Sequence, residues 1–198
     1  MKIIDISQEV LSCRVFPNDP SPRAERLSSM DDGAVYNLHA FSMCAHNGTH
    51  VDAPYHFVNE GAKLDEIPLD VFAGKCYVAR HEGNVDEKEA CSILERAKAA
   101  GASERILIAG KAVVTAEAAR VFAAADIRLI GNESQTVGPE DAPMEVHLIL
   151  LGKGIVLLEG IVLTDIQEGA YFLNAAPLNF RGFEGSPCRA YLIEGMNL

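Results

Sequence analysis

Hydrophobic and polar residues follow one another in this chain with periods that predict strands and helices in turn. Period-two alternation is clearest near the amino terminus and just before the histidine-rich region, and short apolar runs typical of buried strands follow later. Strands are predicted over residues 2–7, 35–43, 74–80, 105–109, 127–130, 155–163 and 188–194. A loop is predicted over 17–22, where three prolines interrupt the pattern.

Three segments have helical signals. Asp86 and Glu89 have the spacing of a capping box, and apolar residues three and four apart follow until Gly101. Thr115 is predicted to cap a second helix, and a short third helix is predicted after Pro143. Helices placed between strands at this spacing indicate an α/β core with at least one parallel pair of strands.

Length and charge limit the classes of protein. With 198 residues, 48% of them hydrophobic, and a mean hydropathy of +0.08, the chain can bury one substantial core, so a single domain over 1–198 is predicted. A net charge of −11 disfavours nucleic acid and anionic membranes as partners, because both bind basic patches. A small molecule is the expected partner.

The cysteines and the apolar segments of the chain indicate the cellular compartment of the protein. Five cysteines without a close C-x-x-C pair are typical of reduced thiols. Asp5 interrupts the amino-terminal apolar segment, which argues against a signal peptide, and no apolar run reaches the length of a membrane span. A cytoplasmic protein is therefore expected.

Potential metal ligands are concentrated between His46 and His56. Four of the six histidines lie at positions 39–56, together with Asp52. Imidazole nitrogen with carboxylate oxygen suits Zn(II), Mn(II) or Fe(II). Pro54 and a glycine at 48 exclude the helical H-E-x-x-H of metalloproteases and predict a loop that leads into an extended segment.

In an extended segment, residues two apart share a face, so His50 and Asp52 should lie side by side. His46 can approach them over the turn at Gly48, and together the three predict a metal site with open positions. Cys44 has the spacing to share this face, but a small core residue is the favoured interpretation.

Two further candidates lie near the carboxyl terminus. Glu159 ends an apolar run, where a buried carboxylate is costly unless it is paired or bound to a cation. An equal alternative is that the strand emerges into solvent at this residue. His147 lies in the predicted third helix, where by itself it is better interpreted as a packed histidine.

Several of these segments resemble the cyclase or kynurenine formamidase-like family of metal-dependent hydrolases, which includes isatin hydrolases. The defining motif is similar to His46-x-Gly-Thr-His-x-Asp-x-Pro-x-His56, and the similarity extends to Pro17-Asn-Asp-Pro20, to the segment from His147 to Glu159 and to Glu184-Gly-Ser-Pro-x-Arg189. The resemblance therefore runs over nearly the whole chain.

The resemblance implies a fold, a ligand set and an assembly. The fold would be a single swivelling β/β/α domain, a mixed sheet flanked by helices, in a homodimer or larger homo-oligomer. His46, His50 and Asp52 would bind one metal ion, and Asp52 and Glu159 would bridge to a second ion held also by His147. His56 would be the catalytic acid-base group. One or two ions are expected per subunit, with zinc favoured over manganese.

The resemblance also implies a reaction, hydrolysis of an amide, with an aryl formamide such as N-formylkynurenine as the leading substrate. The alternatives are a cyclic amide or lactone such as isatin, or a binding protein without turnover. Phe16 would contact an aromatic substrate, or simply anchor its loop. The chain departs from the family at Asn18, at Ala109 with its following residues and at Glu133, which indicates altered pocket walls.

Overall fold

A computed structural model describes residues 1–195. Its strands are β1 Lys2–Asp5, β2 Arg23–Ser28, β3 Leu38–Ser42, β4 His50–Asp52, β5 Ala73–Arg80, β6 Gly83–Val85, β7 Arg105–Ala109, β8 Ala112–Val114, β9 Leu129–Asn132, β10 Val156–Glu159, β11 Gly169–Asn174, β12 Gly185–Pro187 and β13 Tyr191–Glu194. Nine of them form a central mixed sheet with the order β1-β13-β11-β5-β7-β9-β10-β4-β12. The helices are α1 Glu87–Ala99, α2 Ala116–Ala124 and α3 Met144–Leu151, with short 3₁₀ helices at Met30–Asp32, Pro54–His56, Leu64–Glu66 and Leu69–Val71.

The core is a parallel unit buried on both faces. Strands β5, β7, β9 and β10 pair in parallel, as the alternation of strands and helices predicted. Ile106 and Ile108 of β7 join the core beneath α1, α2 and α3, whereas Leu107 joins the core of the opposite face. This is the continuous burial expected of parallel strands. Together with the antiparallel outer strands it confirms the mixed sheet flanked by helices.

Helix starts agree with the sequence better than strand ends do. The Asp86 carboxylate accepts from the amide of Glu89, and the Thr115 hydroxyl accepts from the amide of Ala118, so both caps are confirmed. The Glu89 side chain pairs with Arg96 at 3.1 Å, whereas in a capping box it would accept from the backbone amide of Asp86. Only one half of the predicted capping box is therefore formed. The third helix lies where it was predicted.

The differences lie mostly in strands. The predicted strand 155–163 is regular only over Val156–Glu159, and the predicted strand 35–43 only over Leu38–Ser42. The latter pairs with Arg23–Ser28 in a separate hairpin that the sequence patterns did not indicate. In the part of the chain that the structure describes, no helix has the length and hydropathy to cross a membrane.

Candidate metal centre

Two neighbouring strands bring the first candidate ligands together. His50 and Asp52 lie on β4, two residues apart on one face, as the extended backbone predicted. Strand β10 pairs with β4 in antiparallel register, and Glu159 is the direct partner of His50. The Glu159 side chain is 3% exposed. The interpretation of this residue as a surface acid is therefore wrong.

The loop before β4 places His46 beside Asp52. Gly48 has a φ of +63°, a left-handed conformation that turns the chain into β4. The Thr49 hydroxyl donates a hydrogen bond to the carbonyl of Gly160 at 2.6 Å. This bond ties the loop to the end of β10. The ring of His46 reaches back so that its Nδ1 lies 2.8 Å from Oδ1 of Asp52.

Helix α3 supplies the last candidate. His147 is buried, and its Nδ1 lies 2.9 Å from the carbonyl of Pro143, which leaves Nε2 facing the carboxylates. That nitrogen lies 3.3 Å from Oε1 of Glu159 and 3.7 Å from Oδ2 of Asp52. The interpretation of His147 as an isolated packed histidine is therefore wrong.

The five side chains form two groups that share one carboxylate. One group is His46, His50 and Asp52, and the other is Asp52, His147 and Glu159. His50 Nε2 lies 3.4 Å from Oδ1 of Asp52 and 3.4 Å from Oε2 of Glu159. The two oxygens of each carboxylate therefore face different histidines.

The electrostatics of the cluster favour a cation. Burial opposes the charged form of each carboxylate, yet His46 holds the pKa of Asp52 well below its ordinary value. Burial and Asp52 likewise raise the pKa of Glu159, but hydrogen bonds with His147 and His50 lower it overall. Burial lowers the pKa of His50, but hydrogen bonds with Asp52 and Glu159 outweigh it and raise this pKa to about 10. Two buried carboxylates thus draw positive charge, either protons on the imidazoles or a metal ion in their place.

The donor set fits a divalent metal ion. Oδ2 of Asp52 is buried and has no hydrogen-bond partner among the described residues. An unpaired buried carboxylate oxygen is costly, and coordination of a cation removes that cost. Imidazole and carboxylate ligands are those of Zn(II), Mn(II) and Fe(II) sites. The predicted ligands are therefore assembled in one place.

His56 lies beside the cluster but in neither ligand group. It ends the 3₁₀ helix that starts at Pro54, and its ring stacks on that of His46 with centroids 4.1 Å apart. Burial lowers its pKa from the ordinary 6.5, although Asp52 attracts the charged form. A largely neutral imidazole at the edge of the ligand set can exchange a proton with a bound molecule.

A cavity of about 260 Å³ opens onto these histidines. Phe16 lines it, as expected of a substrate contact, together with Phe57. Sequence reasoning missed the lining residues Asp19, Gln135, Thr136 and Pro143. Gln135 and Thr136 follow the carboxyl end of the parallel strand β9, a position where ligands often bind, so the sequence did contain a signal for them.

Cys44 also lines the cavity and is half-buried, so its assignment as a core residue is wrong.

The departures from the family pattern have local explanations. Asn18 has a φ of +75°, a conformation asparagine tolerates better than most residues. Glu133 accepts from the amides of Gly110 and Leu163, at 2.6 and 2.8 Å. It lines a neighbouring cavity with Lys111, whereas Ala109 is buried in the core. Ala109 and Glu133 are not among the residues that line the cavity beside the candidate metal ligands, so the prediction that these two positions alter its walls is wrong.

Comparison with known proteins extends these observations. The model of a family described as putative cyclase matches residues 4–139. Over 206 residues the chain is 31% identical to the kynurenine formamidase of Salinibacter ruber (strain DSM 13855 / M31), with 97% of each chain covered.

Solved structures agree with this match. A potential metal-dependent hydrolase with cyclase activity superposes with a TM-score of 0.79 at 26% identity, over 96% of both chains. Isatin hydrolase A from Labrenzia aggregata, bound to benzyl benzoate, superposes with a TM-score of 0.82 at 22% identity, over 96% of this chain and 93% of that one. This second likeness concerns the fold alone.

Proposed function

The chain belongs to the putative cyclase family, and on that premise we propose that this metal-dependent hydrolase cleaves the carbon-nitrogen bond of an aryl formamide such as N-formylkynurenine. The observation that carries the proposal is the buried His and carboxylate cluster with His56 stacked at its edge. The similarity to a kynurenine formamidase over 97% of the chain supports the substrate class. Phe16 and Phe57 in the cavity wall suit an aromatic ring.

The proposed role of each side chain follows from its position in the metal cluster or beside it. His46, His50, Asp52, His147 and Glu159 hold the metal, which when bound supplies Lewis acidity toward the amide carbonyl and toward water. Departure of the amine requires a proton at its nitrogen, and His56 is the titratable group beside the ligand set that can transfer it. The cavity, about 260 Å³ and lined in part by the two phenylalanines, suits a small aromatic substrate.

A hydrolysis screen tests this function. Protein loaded with zinc or with manganese is incubated with formanilide, N-formylkynurenine, isatin and a set of lactones. Faster hydrolysis of the formamides supports the proposal, whereas preferred opening of isatin or a lactone replaces it with ring hydrolysis. Metal-loaded protein that hydrolyses none of these compounds would instead be a binding protein without turnover.

The proposed metal is zinc, with manganese as the competitor and one or two ions per subunit. Because only the folded chain assembles the ligands, bound metal stabilises it by about 4 kcal/mol at a thousandfold excess over Kd. A strong chelator should therefore lower the melting temperature by about 8 to 16 °C for a chain of this size, as measured by calorimetry. An unchanged melting temperature, with no metal found by elemental analysis, would contradict the assignment.

We further propose a cytoplasmic homodimer. The hairpin of β2 and β3 carries exposed apolar side chains, including Leu27, Leu38 and Phe41. Beside it lies an apolar groove of about 600 Å³, lined in part by Val10, Leu11 and Phe41. Exposed apolar surface of this kind marks protein interfaces, and a second copy of the chain offers a matching hairpin and groove.

Substitution of Phe41 by Asp should therefore shift the protein toward monomer, because it places a charge in an apolar interface. Sedimentation velocity measures the shift. Leu69→Asp is the matched control, since Leu69 is 69% exposed, against 67% for Phe41, but does not line the groove. Equal sedimentation of both variants and the parent chain would contradict this interface.

A further inference from the structure

Glu184 lies next to the metal cluster without belonging to either ligand group. It immediately precedes β12, the edge strand that pairs with β4 and sets Gly185 opposite Asp52. The amide of Ala53 donates to the carbonyl of Glu184 at 2.8 Å, which fixes the backbone there. From this fixed position Oε1 of Glu184 lies 3.4 Å from Nε2 of His46.

The two nitrogens of His46 face different partners. Nδ1 lies 2.8 Å from Oδ1 of Asp52 and so points into the ligand cluster. Nε2 is buried on the other side of the ring, where it has no hydrogen-bond partner among the described residues, and the half-exposed carboxylate of Glu184 lies on that side. A metal-binding imidazole offers a lone pair on one nitrogen, and its proton then resides on the other. With Nδ1 as the ligand atom, the proton belongs on Nε2.

Close packing prevents the ring of His46 from turning away. The ring of His56 stacks on one face at 4.1 Å between centroids. A Cβ atom at Gly185 would lie 2.5 Å from Cε1 and 3.0 Å from Nε2 of His46, so only glycine permits this approach. The ring is therefore held with Nε2 on the side of the Glu184 carboxylate, 3.4 Å from its Oε1.

We infer that Glu184 is a positioning residue: its carboxylate accepts the Nε2 hydrogen of His46, fixes Nδ1 as the metal-binding atom and so increases metal affinity. The inference rests on the proposed metal-dependent function but not on the identity of the substrate. A carboxylate in this relation to a ligating histidine typically contributes about 10- to 100-fold in metal affinity. Glu184 would act through His46 rather than on the substrate.

The test is the zinc affinity of variants, measured by competition with a chromophoric chelator. Glu184→Ala should weaken zinc binding about 10- to 100-fold. Glu184→Gln, which keeps a neutral acceptor of the same size, should lose less, so the expected order of affinity is the parent chain, then Gln, then Ala. Glu194→Ala is the control, because it removes the same charge from the exposed end of β13.

A second readout separates orientation from general destabilisation. In zinc-loaded protein labelled with ¹⁵N, the ring shifts of His46 should show a metal on Nδ1 and a proton on Nε2. Zinc affinity of Glu184→Ala within twofold of the parent chain, or a metal on Nε2 of His46, would overturn the inference. Zinc binding that follows the expected order in a protein inactive on every formamide would refute the proposed substrate and leave the role of Glu184 supported.

Discussion

Replacing Glu159 by Gln should remove one metal equivalent per subunit and nearly all hydrolytic activity. Its two oxygens lie 3.3 Å from Nε2 of His147 and 3.4 Å from Nε2 of His50, so its charge serves both halves of the cluster. Loss of even an outer partner of a metal ligand costs about 10- to 100-fold, and loss of a shared ligand should exceed that. Elemental analysis and turnover of the same sample measure the two effects.

Gln is a suitable substitution because the fold should survive it. Oε1 of Glu159 accepts from the amide of Val137 at 2.7 Å, and an amide oxygen can accept the same bond. Glu133→Gln is a control, since Glu133 also accepts from backbone amides but lines a different cavity, and Gln, with one acceptor oxygen, keeps one of its two amide bonds. The control should keep its metal. Full metal content and normal turnover in Glu159→Gln would contradict the bridging role.

The local part of the site was predictable because short-range geometry determines it. In an extended chain, residues two apart lie on one face, and β4 places His50 and Asp52 in that relation. Gly48 and Pro54 limit the backbone on either side, so the approach of His46 followed from the same spacing. The starts of α1 and α2 were equally predictable, because capping depends on hydrogen bonds across one turn.

The other half of the site depends on long-range register, which spacing does not determine. Glu159 meets His50 only because β10 pairs with β4 in one antiparallel register, more than 100 residues apart in the chain. A slip of one residue would turn Glu159 to the other face of the sheet. The cost of burying its carboxylate identified it as unusual, and the resemblance to the family supplied the partner.

The missed hairpin has a different cause. Strand β2 has the sequence Arg-Ala-Glu-Arg-Leu-Ser and is exposed over most of its length, so no alternation of buried and polar positions marks it. Leu27 and Leu38 nevertheless lie exposed on this hairpin. A strand that packs against no other part of its own chain needs no alternation of apolar and polar residues, and that alternation is the pattern by which strands are predicted.

Replacing His56 by Ala should keep the metal and the fold yet reduce hydrolysis by about 100- to 10,000-fold. His56 stacks on His46 but belongs to neither ligand group, so its loss should remove the proposed proton donor and leave the candidate ligands in place. The reduction equals roughly 3 to 5 kcal/mol of transition-state stabilisation. Steady-state kinetics with metal-saturated protein measure it, and the limb of the pH-rate profile due to His56 should vanish.

The matched control is His81→Ala, which removes another imidazole outside the metal cavity and should leave turnover unchanged. Metal content distinguishes proton transfer from ligation, because a ligand variant loses metal and regains rate when metal is added in excess. A proton-transfer variant stays slow at any metal concentration, since the missing group is on the protein. If His56→Ala instead lost metal and recovered normal turnover with excess zinc or manganese, His56 would be a ligand and the acid-base assignment wrong.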